Sequence, residues 1–176
     1  MNKLITGGLV LLSTGLLSAC HQSASPSSAK HSTATARRST KSVTANNRKI
    51  AQHVAREFNK NGQAVTVRTA TEVIDDQSKK VNGKSVPHQE IRVLITDKQV
   101  LKAVKEAKTA VSNQTASTDQ KMYLAGIQET ITKAARELKG QDTLTMGYEE
   151  DADNTVLVAA SMKDKDLIKP VEISIE

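Results

Sequence analysis

A chain of 176 residues accommodates one domain plus accessory segments, since a domain takes about 100–200 residues, and leaves no room for a second sizeable core. The formal charge of +6 belongs to the N-terminal quarter: Lys3, Lys30, Arg37, Arg38, Lys41 and Arg48 meet no Asp or Glu before residue 49, and the remainder holds nineteen basic against nineteen acidic residues. A neutral folded part with only Phe58, Tyr123 and Tyr148 as aromatics argues against a nucleic-acid binder, which needs a basic face or stacking platforms.

The chain opens on a short positive region, Lys3 and the amino terminus, followed by the apolar run Leu4 to Leu17 and then small residues, the layout of a secretory signal. The run is too short for a comfortable membrane span, which takes about 20 residues. The single cysteine closes it, in the order Leu17-Ser18-Ala19-Cys20. This order resembles the lipobox of bacterial lipoproteins, a Leu and two small residues ahead of the cysteine. The resemblance implies that the Cys20 thiol takes a diacylglyceryl group and that a dedicated peptidase cuts between Ala19 and Cys20, making Cys20 the first mature residue. One acyl chain holds a protein marginally and two anchor it stably, at about 0.8 kcal/mol per buried CH₂. A plain cleaved signal with a chance cysteine is the alternative. With Cys20 acylated, the mature chain has no thiol left for a disulfide, a Cys nucleophile or a Cys-ligated zinc.

Residues 20–47 form the expected tether. They are rich in Ser, Thr and Ala, with Pro26 and almost no large apolar group, so they cannot bury enough surface to offset ordering entropy. As a coil such a stretch spans on the order of 30 Å. Its cations Lys30, Arg37, Arg38 and Lys41, with Arg48 just beyond, either keep a linker soluble or contact anionic lipid or wall polymer.

The single domain is expected over 48–176. Asn46 or Asn47 can cap a helix with the stripe Ile50, Val54, Phe58, and Gly62 follows as a stop. From Ala64 to Ile74, Val65, Val67 and Val73 share a parity with Thr69 and Thr71, the alternation of a strand. A polar loop with Asp75, Asp76, Lys79, Lys80 and Asn82-Gly83 leads to a second strand, Glu90 to Thr96, and the two make a hairpin. Asp97 caps a helix striped by Val100, Val104, Ala107 and Val111. A longer helix, Asp119 to Lys139, carries Tyr123, Ile127, Ile131, Ala134 and Leu138, and Gly140 ends it. Strands follow with Leu144, Met146 and Tyr148, then with Val156, Val158 and Ala160 across a turn at Asp151 to Asn154; Val171, Ile173 and Ile175 suggest a fifth. The order αββααββ(β) predicts an α+β fold, an antiparallel sheet of four to five strands with about three helices on one face.

Candidate chemistry is sparse. His53 has Glu57 four residues on, which suits a surface ion pair better than a metal corner, since no third ligand pattern accompanies it. His88 follows Pro87 at the start of a strand. The acidic group Glu149, Glu150, Asp151 and Asp153 invites a calcium reading, but Thr155 and Val156 stand where a calcium loop needs an oxygen ligand and a glycine, so a solvated turn is expected and no metal is assigned. There is no GxSxG elbow and no phosphate-cradling glycine loop.

The function these features favour is a non-catalytic interaction module of the cell envelope. It would be held by lipid at the extracytoplasmic face of the membrane, in a layout that resembles Gram-positive lipoproteins, with membrane lipid as one partner and an envelope protein as another. A small-ligand or ion-binding lipoprotein is the alternative, although about 130 residues cannot form two ordinary lobes around a ligand. An envelope hydrolase ranks third. No cofactor is expected apart from the lipid on Cys20.

Overall fold

The computed structural model describes residues 42–60, 62, 64–151 and 154–173. In chain order these form helix α1 (Ala45–Phe58), strands β1 (Val65–Val73), β2 (Lys79–Val81), β3 (Lys84–Val86) and β4 (His88–Ile95), helices α2 (Lys98–Ser112) and α3 (Thr118–Ala135), and strands β5 (Thr143–Glu149) and β6 (Thr155–Met162). The class is α+β. A four-stranded sheet runs β1-β4-β5-β6, and β2 with β3 makes a separate two-stranded hairpin.

Helix α1 starts at Ala45, ahead of residue 48, the expected start of the domain. Thr44 rather than Asn46 or Asn47 caps α1, its hydroxyl accepting from the Asn47 N–H. Asn47 has a different task. Its side chain is buried, and its Nδ2 donates to Gln89 Oε1 at 3.0 Å and to Asp142 Oδ2 at 2.8 Å, while the Gln89 N–H donates to Asp142 Oδ1 at 2.8 Å. The starts of α1 and β4 and the approach to β5 are thereby joined in one polar node. Around it, Asn46 Nδ2 donates to the Glu137 carbonyl and the Thr44 N–H to Gln89 Oε1.

β1 pairs antiparallel with β4, and β5 with β6, as expected, but β4 and β5 are parallel. The purely antiparallel sheet is therefore corrected to a mixed one. Parallel neighbours need a long crossover. Two helices each spanning the sheet would have returned the chain to the end where β4 finishes; here α2 stays at that end, packed on α3 with Lys105 Nζ 4.8 Å from the Tyr148 ring centre, and α3, laid along β6 and β5, carries the chain to the end where β4 starts.

One face of the sheet meets the helices. Val65, Val67, Ile91, Val93, Ile95, Leu144, Met146 and Ala159 from the strands close on Ile50 and Val54 of α1, Val104 and Ala107 of α2, and Leu124, Ile127 and Ile131 of α3. α3 is capped by Ser117 in a reciprocal box with Gln120 and ends at Ala135, although Leu138 beyond it is still buried. Tyr123, expected on its buried stripe, is exposed, and Leu124 takes its place because a phenol satisfies its hydroxyl in water.

Two bulges reset the sheet. Between Ala70 and Val73 the register shifts, with Glu72 at φ 62°, so that Val73 leaves the parity of Val65 and Val67 and lies on the helix-free face. The second lies between Met146 and Gly147 in the β5–β6 pair. The expected fifth strand does not form over 171–173; the Val171 N–H goes instead to Gln128 Oε1 at 2.8 Å, and Ile175 lies outside the described residues.

Two outcomes test this account. A Cβ at Gly147 would collide with the Val156 carbonyl oxygen and crowd the Leu157 Cα, both backbone atoms, so Gly147→Ala is expected to cost about 3 kcal/mol in urea unfolding. Asn47→Ala strips a donor from two acceptors and is expected to cost about 2 kcal/mol by the same measurement.

Candidate functional site

The helix-free face of the sheet is not bare. Its central residues are Glu90 and Arg92 on β4, Thr143 and Thr145 on β5, and Ala160 and Met162 on β6, placed side by side by the registers Glu90↔Thr143↔Met162 and Arg92↔Thr145↔Ala160. Val73, Asp75, Asp76 and Gln77 wall one side and Leu167 with Ile168 the other, leaving a cleft of about 430 Å³. The second wall is held firmly: Leu167 N–H donates to the Ala160 carbonyl at 2.7 Å, and Asp166 Oδ1 accepts from Thr132 and Ser161 hydroxyls at 2.7 and 2.8 Å.

At the floor, the Glu90 carboxylate receives Arg92 Nη2 at 2.7 Å, Arg92 Nε at 3.2 Å and the Thr145 hydroxyl at 2.8 Å. The glutamate side chain is 9% exposed and the arginine 44%. Three donors on one buried carboxylate make Glu90 an orienting group rather than a proton-transfer group. It holds the guanidinium by one edge, and Arg92 Nη1 has no partner among the described residues. A planar donor edge presented this way suits a carboxylate, a phosphate or a main-chain carbonyl. Arg68, directly across from Arg92 on β1, is drawn to Glu149 at 3.4 Å.

Beside the cleft stands a Ser–His–carboxylate grouping. His88 Nδ1 lies 3.3 Å from Ser78 Oγ, and His88 Nε2 lies 3.7 Å from Asp75 Oδ2. The geometry is that of a loop clasp. Ser78 is buried and its Oγ accepts from the Asp75 N–H at 3.0 Å, while Asp75 Oδ1 accepts from the Gln77 N–H at 2.8 Å. A nucleophile–base pair needs an accessible hydroxyl and a base oriented at about 2.6–3.2 Å by its third group. Neither condition is met: Ser78 faces the loop it closes, and His88 Nε2 is buried without a hydrogen bond.

Of the residues singled out in the sequence, those among the described residues do not converge on one site. Cys20, Ala19, Lys30, Arg37, Arg38 and Lys41 lie outside the described residues, and Arg48 is an exposed residue of α1. His53 is exposed; Glu57 makes its close ion pair with Lys60, whose Nζ lies 2.6 Å from Glu57 Oε1 and holds that carboxyl below its ordinary range, with His53 a smaller influence in the same direction. Glu149 faces Arg68, the Glu150 N–H donates to the Asn154 carbonyl at 2.9 Å, and Asp153 lies outside the described residues. Among the described residues no group of three or more His, Cys, Asp or Glu is gathered as a metal site. No helix among them is long and apolar enough to cross a membrane. Sequence reasoning missed Glu90, Arg92 and Thr145. The signal was an ionic pair two apart in an otherwise apolar strand, EIRVLI, which places both charges on one face.

No family model, curated protein or solved structure matches this chain.

The arrangement predicts an order of effects. Glu90→Ala leaves Arg92 and Thr145 without their shared acceptor and is expected to lower stability by about 2 kcal/mol, whereas Thr145→Val, which removes one of three donors, costs about 1 kcal/mol; urea unfolding measures both.

Proposed function

We propose that this chain is a lipid-anchored, extracytoplasmic lipoprotein whose domain is a non-catalytic interaction module, engaging an envelope partner through the helix-free face of its sheet. The observation that carries the anchoring is the order Leu17-Ser18-Ala19-Cys20 at the end of the apolar leader. The interaction reading draws on Arg92, whose free edge is held toward the cleft by Glu90 and Thr145. A partner would present a carboxylate or a main-chain carbonyl to that edge. Its apolar side chains would meet Val73, Leu157, Leu167 and Ile168 along the walls.

A small ligand is the second reading, favoured by the size of the cleft, about 430 Å³, which falls in the range of small-molecule sites. The two separate by experiment. A photo-reactive residue at Gln77, on the wall, is expected to cross-link a defined envelope protein in cells, and Arg92→Ala to weaken that cross-link about tenfold, the effect of a charge-assisted hydrogen bond. A melting shift with a small anion that Arg92→Ala abolishes, and no cross-link, would favour the ligand.

Anchoring is tested apart from the cleft. Cys20→Ala is expected to end incorporation of a labelled fatty acid and to move the protein out of the lipoprotein fraction; retained labelling would overturn the anchor.

A further inference from the structure

Between β1 and β4 the chain leaves the main sheet and builds an arm of its own. Lys79–Val81 and Lys84–Val86 pair around Asn82 and Gly83, at φ 50° and 75°, the two left-handed positions of a tight hairpin turn. The register sets Lys79 opposite Val86 and Val81 opposite Lys84, so these four side chains share one face, and Lys80 with Ser85 share the other. Valine and lysine therefore alternate in a chequered patch.

Nothing in the domain uses that patch. None of the hairpin's residues belongs to the core; Val81 is 46% and Val86 40% exposed, and Ile74 at the foot of the arm is 63% exposed. Among the described residues, Lys79, Lys80 and Lys84 form no ion pair. An isolated two-stranded hairpin is marginally stable in water at best, and threonine would serve a solvated strand better than exposed valine.

Apolar side chains set between unpaired ammonium groups match a bilayer surface. The methyl groups reach the acyl boundary while the lysines, through their long stems, keep their charges among the phosphates. We propose that the β2–β3 hairpin is a membrane contact, Lys79 and Lys84 binding anionic lipid headgroups and Val81 and Val86 of the same face entering the interface beneath them, while Lys80 on the opposite face adds its charge to the attraction. An acidic protein surface would satisfy the lysines, but not the Val81–Val86 diagonal that crosses them on so small a face. The inference adds to the anchoring reading and draws on it for proximity: Ser42 is only 22 residues from Cys20, so an anchor there keeps the domain within about 80 Å of the bilayer.

The test uses the mature chain from residue 20, made unlipidated as Cys20→Ala, in flotation with vesicles rich in phosphatidylglycerol or made of phosphatidylcholine alone. Each lysine near an anionic surface contributes roughly fivefold, so K79Q/K80Q/K84Q is expected to weaken binding to the anionic vesicles on the order of 100-fold with an unchanged melting temperature. Val81→Ser with Val86→Ser is expected to weaken it several-fold, and a dye on Asn82→Cys to shift to the blue on binding. Binding of the triple variant within about twofold of the parent, binding indifferent to lipid charge, or no binding by the parent overturns the proposal. So does a vesicle affinity untouched by the triple substitution when a protein cross-link from the arm is lost. Because lipidation is read separately by fatty-acid labelling at Cys20, failure of the anchor leaves the vesicle result standing.

Discussion

The parallel pairing of β4 with β5 is the constraint on which the rest of the domain depends. Parallel strands share no turn, so their starting ends must be brought together by something other than local chain geometry. Asp142 does this, taking the Gln89 N–H on one oxygen and Asn47 Nδ2 on the other, at the point where α1 begins. Asn47 is 1% exposed, so its amide has exchanged water for these two acceptors. Its Oδ1 has no partner among the described residues, a desolvation cost the node carries. In return, three elements far apart in sequence start from one place, and the distance α3 must cover is fixed.

The two faces of the sheet follow different chemistry as a result. The helix face is closed by aliphatic side chains from all three helices, with Ile91, Val93 and Ile95 of β4 and Leu144, Met146 and Tyr148 of β5 almost wholly buried on that side. The other face is covered only in part, by the loop after β1 and by the segment after β6. Its centre is polar, and it stays stable because Glu90 is fully bonded by Arg92 and Thr145. The bulge at Glu72 completes this face by turning Val73 onto it.

The elements with strong periodicity were legible in the sequence. Ile50-Val54-Phe58, the Asp97 cap, and the alternation of Leu144, Met146 and Tyr148 all describe local geometry that the structure keeps. What failed were features that local patterns do not encode. Thr44 took the cap from Asn47 because a buried amide with two partners elsewhere is worth more than a cap that threonine also supplies. The parallel pairing was hidden because two successive helices suggest a return trip, and only packing shows that α2 remains at one end. The short hairpin was read as polar loop because three-residue strands are too brief for a period to show, although Asn82-Gly83 marked its turn. For the cleft, the Glu90–Arg92 spacing was visible, but the residues that wall it come from positions 73, 75–77 and 167–168, which no linear motif connects.

The node also sets how the domain would bear a pull. Tension arriving along the chain from residue 41 enters at Ser42, whose carbonyl is held by Gln89 Nε2 at 3.2 Å, and the next bond inward joins the Thr44 N–H to the same side chain. Gln89 is followed in β4 by Glu90 and, two residues further, by Arg92. A force between the N-terminal side and anything gripped in the cleft therefore runs through a handful of residues of one central strand, flanked on both sides by paired neighbours. α2, α3 and the C-terminal segment lie off that line, so β4 carries the strain ahead of them.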